Sequence, residues 1–238
     1  MAELAINPEM SVGAIVAEYP ATMRLFEALG IDYCCGGKMP LAEAARGVNM
    51  PVERVIAVLQ AAMLQAPAGE RNWQTAPLDE LMEHIVQQHH TFMRRELPRI
   101  AEMLAKVRRA HGERHGDVLE PLAETFNALR LELEQHLEKE ETVTFPAIRM
   151  VLTGQADERA RQTIVELEHE HEVAGEALAR MRTLTNDYHT PADACATYCG
   201  LYNALQDMER DLHEHIHLEN NVLFPRTREV LASQGRAA

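Results

Sequence analysis

Hydrophobic residues over most of the chain recur at alternating steps of three and four, which is the spacing of one face of an α-helix. The predicted long helices are residues 78–110, 117–153, 157–184 and 191–232. The breaks between them are short, as antiparallel neighbours require, and the second helix should bend at Phe145-Pro146. The pattern therefore predicts an all-α protein whose main part is an up-down-up-down four-helix bundle.

Shorter amphipathic segments precede this bundle. The predicted short helices are residues 11–19, 20–29, 41–46 and 51–65. Gly30 and Gly47 suit the ends of two of them. The stretch after the last one contains Pro and Gly without helical periodicity, which is typical of a linker. The expected organisation is a small helical domain at residues 1–65, a linker at 66–76 and the bundle at 77–238.

Two copies of the motif H-x-x-x-E-x-x-V-x-F-P interrupt the apolar stripes of the second and fourth long helices. The first copy contains His136 and Glu140, and the second contains His215 and Glu219. Residues four apart lie on one face of a helix, so each copy directs an imidazole and a carboxylate to one place in the core. A buried ionised carboxylate is costly unless a cation or a hydrogen bond compensates it. Two such carboxylates in one core predict a shared cation.

The other two long helices offer further ligands. His171 lies in the core stripe of the third helix, and His90 lies in a stripe of the first helix that continues further than the competing stripe through His89. Taken singly, each histidine has the simpler interpretation of a hydrogen-bonded core residue. The remaining histidines are expected at the surface or beside the ligands: His84, His89, His111, His115, His169, His189, His213 and His217.

Four histidines and two glutamates are too many ligands for one ion but suit two. We expect each metal to take two imidazoles, and Glu140 and Glu219 to bridge the pair. Mixed imidazole and carboxylate ligation favours iron or manganese over a closed tetrahedral zinc site. The sequence therefore predicts a two-metal centre with positions left open for small ligands.

Composition excludes several classes of partner. The chain has 37 acidic and 23 basic residues and a formal net charge of -14, which argues against nucleic acid or an anionic membrane as partner. The N-terminus lacks the features of a signal peptide, and no apolar run is long enough to span a membrane. We expect a cytoplasmic protein.

The cysteines leave alternatives open. Cys34 and Cys35 precede two glycines in a loop, where they serve either as two small buried hydrophobes in a turn or as thiols for redox or metal chemistry. Cys195 and Cys199 lie near the start of the fourth long helix but off its core stripe, which favours buried or idle thiols. With four cysteines in a chain of 238 residues, a disulfide scaffold is not expected.

With these residues in place, residues 77–228 resemble the hemerythrin-like family of di-iron four-helix bundles. Oxygen-carrying members have a fifth histidine on the third helix and end with H-x-x-x-x-D, and this chain has neither. The four-histidine, two-glutamate pattern, D-Y-C-C-G-G at 32–37, H-E-V-A-G-E at 171–176 and L-E-N-N-V-L-F-P at 218–225 resemble the iron-sulfur cluster repair family, also called repair of iron centres. This resemblance covers nearly the whole chain.

The resemblance implies a function. It implies a homodimer with two iron ions per chain that helps to restore iron-sulfur clusters after nitrosative or oxidative stress by supplying iron, with damaged or apo iron-sulfur proteins as clients. Two alternatives stay open, a di-iron enzyme that reduces nitric oxide and a protein that binds or senses it. The thiols of Cys34 and Cys35 would meet the client cluster, the iron or a nitrosyl group. Glu132 and Glu170 would either offer oxygens to departing iron or lie on solvated faces.

Overall fold

A computed structural model describes residues 6–64, 71–155 and 158–234 of the chain. Every regular element within these residues is helical. The first elements are α1 (Val12–Glu18), a 3₁₀ turn (Pro20–Thr22), α2 (Met23–Leu29), α3 (Leu41–Gly47) and α4 (Val52–Leu64). Gly30 ends α2 with a left-handed φ of 69°, which glycine adopts without steric cost. The four predicted short helices agree with these elements to within one or two residues when the 3₁₀ turn is counted as the start of the second; residue 65, the predicted end of the last one, lies outside the described residues.

The long helices follow. They are α5 (Leu78–Ile85), a π-turn (Val86–His90), α6 (Thr91–Lys139), a second π-turn (Glu140–Thr144), α7 (Phe145–Leu152), α8 (Glu158–Leu184), α9 (Ala196–Leu218), a third π-turn (Glu219–Leu223) and α10 (Phe224–Gln234). The all-α prediction is confirmed. The last long helix starts at Ala196 rather than at residue 191, because residues 191–194 form a separate turn in which the N–H of Ala194 donates to the carbonyl of Pro191.

The predicted break between the first two long helices is confined to one residue. His115 has φ -126° and ψ 22°, while its neighbours stay helical, so α6 consists of two legs that meet there. Arg108 on the first leg is paired with Glu120 on the second. Twelve residues of straight helix would separate these side chains by about 18 Å, so the chain reverses direction at His115. This reversal makes the legs antiparallel neighbours.

Contacts between described residues divide the chain into two compact units. One unit combines the N-terminal residues through Met82 with the C-terminal segment from His213. In it, Arg226 donates to the carbonyls of Trp73 and Ala76, both at 2.7 Å. The expected boundaries at 65 and 77 stay a prediction, and residues 65–70 of that region lie outside the described residues.

The other unit runs from Glu83 to Leu212 and contains parts of all four long helices. Lys139 on the second leg of α6 reaches Glu166 and Glu170 on α8 at 3.1 and 2.6 Å. Arg182 on α8 donates to Glu209 on α9 at 2.6 Å. Neighbouring helices of the bundle are therefore tied by ion pairs at their edges around an apolar centre. None of the described helices is both long and apolar enough to cross a membrane.

Candidate metal centre

Three of the segments that carry predicted ligands contain a π-turn, in which one extra residue widens a turn of helix. His90 ends the first π-turn, Glu140 begins the second and Glu219 begins the third. In both motif copies Phe-Pro follows the turn, and proline has no N–H to donate to the carbonyl four residues earlier. The Phe-Pro pair accounts for the position of these two π-turns, whereas no proline marks the turn that ends at His90; the bend expected at Phe145-Pro146 stays a prediction.

Four predicted ligands come together inside the unit from Glu83 to Leu212. Nε2 of His90 lies 3.2 Å from Oε2 of Glu140, and Nε2 of His136 lies 3.2 Å from Oε1 of the same carboxylate. Nε2 of His171 lies 3.2 Å from Nε2 of His136. All four side chains are buried. Ligands bonded to one ion at about 2.1 Å lie about 3 Å apart when they are neighbours, so these separations suit metal ligation.

Two further carboxylates accept hydrogen bonds from the imidazole rings of His90 and His136, on the side away from Glu140. Nδ1 of His90 donates to Glu141 at 2.7 Å, and Nδ1 of His136 donates to Glu170 at 2.8 Å. The hydrogen bond from His136 lowers the pKa of Glu170 to about 2, against the opposing effect of partial burial. Burial alone would raise the pKa of Glu141, but hydrogen bonds from His90 and Arg94 hold it below its usual value. Both carboxylates are therefore ionised acceptors at neutral pH, and metal-binding histidines typically have such a partner.

This arrangement fixes which ring nitrogens face the centre. Because Nδ1 of His90 and of His136 carries the proton, the lone pair of each neutral imidazole is on Nε2. Both lone pairs then face oxygens of Glu140, which are also acceptors. Acceptors facing each other in a buried core need a cation between them, either a second proton on each ring or a metal ion. The buried histidine and glutamate cluster thus fits a non-haem iron site.

The second motif copy forms a corresponding pair of histidine and glutamate in the other unit. We call the His and Glu pair of each copy a clip. Nε2 of His215 lies 3.6 Å from Oε1 of Glu219, and both side chains are completely buried. The corresponding distance in the first copy, between His136 and Glu140, is 3.2 Å. The imidazole and carboxylate of each copy therefore approach each other as the i, i+4 spacing predicts.

The loop with the adjacent cysteines is built around Asp32. Its carboxylate accepts hydrogen bonds from the backbone N–H groups of Cys34, Cys35 and Gly36 at 2.9, 3.0 and 2.8 Å. The two sulfur atoms lie 3.8 Å apart without a disulfide bond between them, and Cys34 is buried while Cys35 is half-buried. The contact with the Cys35 sulfur raises the pKa of the Cys34 thiol well above its usual value, and burial and the charge of Asp32 add to the effect. Cys34 is therefore a protonated thiol at neutral pH.

The second motif copy also holds this cysteine loop. Nδ2 of Asn221 donates to the carbonyls of Tyr33 and Cys34 at 3.3 and 3.0 Å, and Nδ1 of His217 lies 3.4 Å from the carbonyl oxygen of Tyr33. A Cβ at Gly37 would lie 2.3 Å from Oδ1 of Asn221, so only glycine allows this close approach. Gly37 therefore allows the approach of a side chain two residues from Glu219, whereas a Cβ at Gly36 would meet Asp32.

The structure also places side chains whose surroundings the sequence left open or did not predict. Glu170 contacts a predicted ligand, whereas Glu132 is exposed. His217 and His89 are buried, the latter 3.1 Å from Asp211. Glu141 was not predicted, and its position directly after Glu140 offers no periodic signal. Among the remaining cysteines, Cys195 is exposed and Cys199 is half-buried.

Both the N-terminal part and the bundle part of the chain are similar to domains of known proteins. The profile of the hemerythrin HHE cation binding domain matches residues 81–227, and that of ScdA_N, a domain of unknown function, matches residues 8–63. The iron-sulfur cluster repair protein YtfE of Citrobacter koseri is 38% identical over 218 residues, which cover 92% of this chain and 96% of the relative. The chain belongs to the iron-sulfur cluster repair family. The proteins named YtfE in Musicola paradisiaca and Escherichia coli are 38% and 37% identical to this chain, with the same coverage of both chains.

Membership of this family confirms the resemblance drawn from the motifs. The hemerythrin match begins before His90 and ends after Glu219, so it includes all six predicted ligands. The ScdA_N match includes the cysteine loop at Asp32 to Gly37. The two matched domains together contain every residue to which we assigned a chemical role from the sequence.

Proposed function

We propose that this protein helps to repair iron-sulfur clusters damaged by nitrosative or oxidative stress, and that it does so by supplying iron held in its bundle. The observation that carries the proposal is the buried carboxylate of Glu140, whose two oxygens face the acceptor nitrogens of His90 and His136 at 3.2 Å. Relatives that match over 92% of this chain are named iron-sulfur cluster repair proteins.

The proposed centre contains two iron ions and six protein ligands. The ligands are His90, His136, Glu140, His171, His215 and Glu219, with the two glutamates as bridges and a solvent-derived bridge between the ions. The identical spacing of the two motif copies and the complete burial of both glutamates support this assignment. Six ligands for two ions leave positions at which iron can bind nitric oxide or oxygen.

The residues around the ligands have their own proposed roles. Glu141 and Glu170 keep the protons of His90 and His136 on Nδ1, so that both Nε2 lone pairs remain directed at the metal. Their side chains are 28% and 38% exposed, so each links the buried centre to solvent. Glu170 can offer a carboxylate oxygen to an iron ion that leaves the site. In this step the iron ion leaves the centre and is supplied to the client protein instead of remaining bound as a cofactor.

The cysteine loop is the proposed contact with the damaged cluster. Cys35 is half-buried and Cys34 is buried, so a client, an iron ion or a nitrosyl group would meet the sulfur of Cys35 first. The hydrogen bonds to Asp32 hold both backbone amides in place while a sulfur reacts. We also propose that the protein is a homodimer in the cytoplasm. Sedimentation of the purified protein measures how many chains associate.

Transfer of iron to an apo cluster protein tests the proposal. The protein is loaded anaerobically with ferrous iron and mixed with an apo [4Fe–4S] protein, sulfide and a thiol, and visible absorption follows cluster formation. We expect the cluster to form with iron from this protein alone. The variant with Cys34→Ala and Cys35→Ala should keep its iron and transfer it more slowly. If the loaded protein retains its iron in the presence of the client, the supply role is wrong.

The same preparation separates the two alternatives. An enzyme that reduces nitric oxide would release nitrous oxide repeatedly when a reductant is present, and gas chromatography measures this product. A protein that binds or senses nitric oxide would form a stable nitrosyl adduct, with neither turnover nor iron transfer. Transfer without nitrous oxide supports repair by iron supply.

A further inference from the structure

A second cluster of possible metal ligands lies where the two legs of α6 meet. It consists of His111, His115 and Asp193, and we call it the turn cluster. One ligand atom from each residue lies within 4.8 Å of the other two. Nε2 of His115 is 2.9 Å from Oδ1 of Asp193, and the two imidazole rings are 6.2 Å apart between centroids. Along the helix, 21 residues separate His111 from His90, or about 30 Å, so the turn cluster is distinct from the centre around Glu140.

The backbone and a buried tyrosine hold the two imidazoles. His111 and His115 have the i, i+4 spacing that places two side chains on one helix face. His115 is also the residue at which α6 leaves helical geometry, so its ring is set by the reversal of the chain. The ring of Tyr198, which is completely buried, meets both imidazoles edge-on, at 5.3 and 6.0 Å between centroids. The two rings therefore share a fixed support.

The chemistry of the three donors matches a zinc-type ion. Two imidazoles and one carboxylate oxygen are common ligands of Zn²⁺, and in a tetrahedral site with bonds of about 2.0 Å neighbouring ligand atoms lie about 3.3 Å apart. The contact of 2.9 Å between His115 and Asp193 is close to that value. The side chains of His115 and Asp193 are 23% and 40% exposed, which leaves room for a water molecule as fourth ligand. We propose that the turn cluster binds one zinc-type divalent ion.

The surrounding charges are compatible with a cation at this place. Arg114 donates to Oδ2 of Asp193 at 3.1 Å, which leaves Oδ1 directed at His115. Burial raises the pKa of Tyr198, and the charges of Asp193 and Asp117 raise it further. A second negative charge, that of Asp117, therefore lies near the turn cluster. Without a metal the same groups form an ordinary surface ion pair. Bound metal would instead tie the turn of α6 to the segment before α9.

Binding of Zn²⁺ and Co²⁺ to the full-length, iron-loaded protein tests this proposal. Isothermal titration should show one Zn²⁺ per chain beyond the bound iron, and Co²⁺ should give the visible absorption of a four-coordinate ion. His111→Ala and Asp193→Asn should each weaken Zn²⁺ binding at least tenfold, since even the loss of outer partners of metal ligands costs tenfold or more. His169→Ala is the matched control, because His169 is a 76% exposed helical histidine outside the cluster, and it should bind as the unchanged protein does.

Iron content and far-UV circular dichroism are measured on every variant. Asp193→Asn preserves the shape of the side chain, so its effect reports on ligation even if His111→Ala perturbs the turn. Zn²⁺ uptake with loss of iron would mean that zinc had entered the other centre, and the proposal would then be wrong. Absence of Zn²⁺ binding, or equal affinity in Asp193→Asn and the unchanged protein, would likewise overturn it.

Discussion

The two copies of the H-x-x-x-E-x-x-V-x-F-P motif share their spacing and their π-turn but differ in their surroundings. The motif valine of the first copy, Val143, is 39% exposed, whereas that of the second, Val222, is 1% exposed. Two residues after the motif histidine, the first copy has an exposed Glu138 and the second a buried His217. The first copy thus has a solvent-facing side, and the second is enclosed.

The two copies also differ at the residue two positions after the motif glutamate. In the first copy this residue is Thr142, whose hydroxyl donates to a carbonyl of its own helix at 2.7 Å. In the second it is Asn221, whose amide donates to Tyr33 and Cys34. The His, Glu, Phe and Pro positions produce the same clip in both copies. The positions between them are free to differ, and in the second copy they hold the cysteine loop.

The largest expected effect comes from removing the imidazole of either clip. His136→Ala and His215→Ala should each lower the iron content at least tenfold and destabilise the fold by about 3–5 kcal/mol, because each removes a proposed metal ligand and the loss of the ions leaves buried glutamates without a compensating charge. Metal analysis and Mössbauer spectroscopy of protein purified without added metal measure the first effect, and urea unfolding measures the second. An equal loss in the two variants would show that the clips are equivalent.

The exposed His169 provides the control for these variants. His169→Ala should keep its iron, because this side chain is 76% exposed and lies off the core stripe. If His136→Ala retained its full iron content, the ligand assignment would be wrong. If only one of the two clip variants lost iron, the two copies would differ in chemistry as well as in surroundings.

A smaller effect is expected from crowding the contact between the second copy and the cysteine loop. Gly37→Ala would place a Cβ 2.3 Å from Oδ1 of Asn221 and 2.7 Å from the carbonyl oxygen of Tyr33. Relief of this overlap should cost about 1–3 kcal/mol. Gly47→Ala is the matched control, because a Cβ there meets nothing within 4 Å and should stabilise α3 by about 0.5–1 kcal/mol. Equal unfolding midpoints for the two variants would show that the contact has no energetic importance.

Substitution of the motif valine in each copy compares the surroundings of the two copies directly. Val222→Ala should cost about 2 kcal/mol, since it removes two buried methyl groups and leaves a cavity. Val143→Ala should change the free energy of unfolding by less than about 0.5 kcal/mol, as is usual for an exposed site. Urea unfolding of both variants measures the difference. A similar cost for both would indicate that Val143 is covered in solution, for instance by a second copy of the chain.

Periodicity predicted most of the fold, because the long helices bury one continuous apolar stripe each. It placed the helix bounds of the first part to within one or two residues, and it marked the region of the chain reversal at His115. It could not assign the segment from His213 to the unit of the N-terminal residues, because that assignment depends on contacts such as those of Asn221 and His217. Such contacts connect residues more than 180 positions apart, and their polar groups follow no period.

The site was predictable where one helix carries the signal. The i, i+4 spacing placed His136 beside Glu140 and His215 beside Glu219, and stripe continuity placed His90 and His171 in the core. Glu141 could not be predicted in the same way, because its contact with His90 crosses between two legs of the bundle. The π-turn that ends at His90 likewise lacks a sequence signal such as proline.

The smallest expected change in stability comes from Asn221→Ala, which affects only the contact between the second copy and the cysteine loop. Asn221→Ala should cost about 1 kcal/mol, because it removes the amide that donates to the carbonyls of Tyr33 and Cys34. The variant should keep its iron, since Asn221 is not a ligand, but alkylation of Cys34 should become faster as the loop opens, and mass spectrometry can follow this rate. Thr142→Ala, at the equivalent position of the first copy, should leave both stability and alkylation unchanged. Faster alkylation in Asn221→Ala alone would establish that the enclosed copy, besides carrying its His and Glu, controls access to the buried thiol of the loop that we propose meets the damaged cluster.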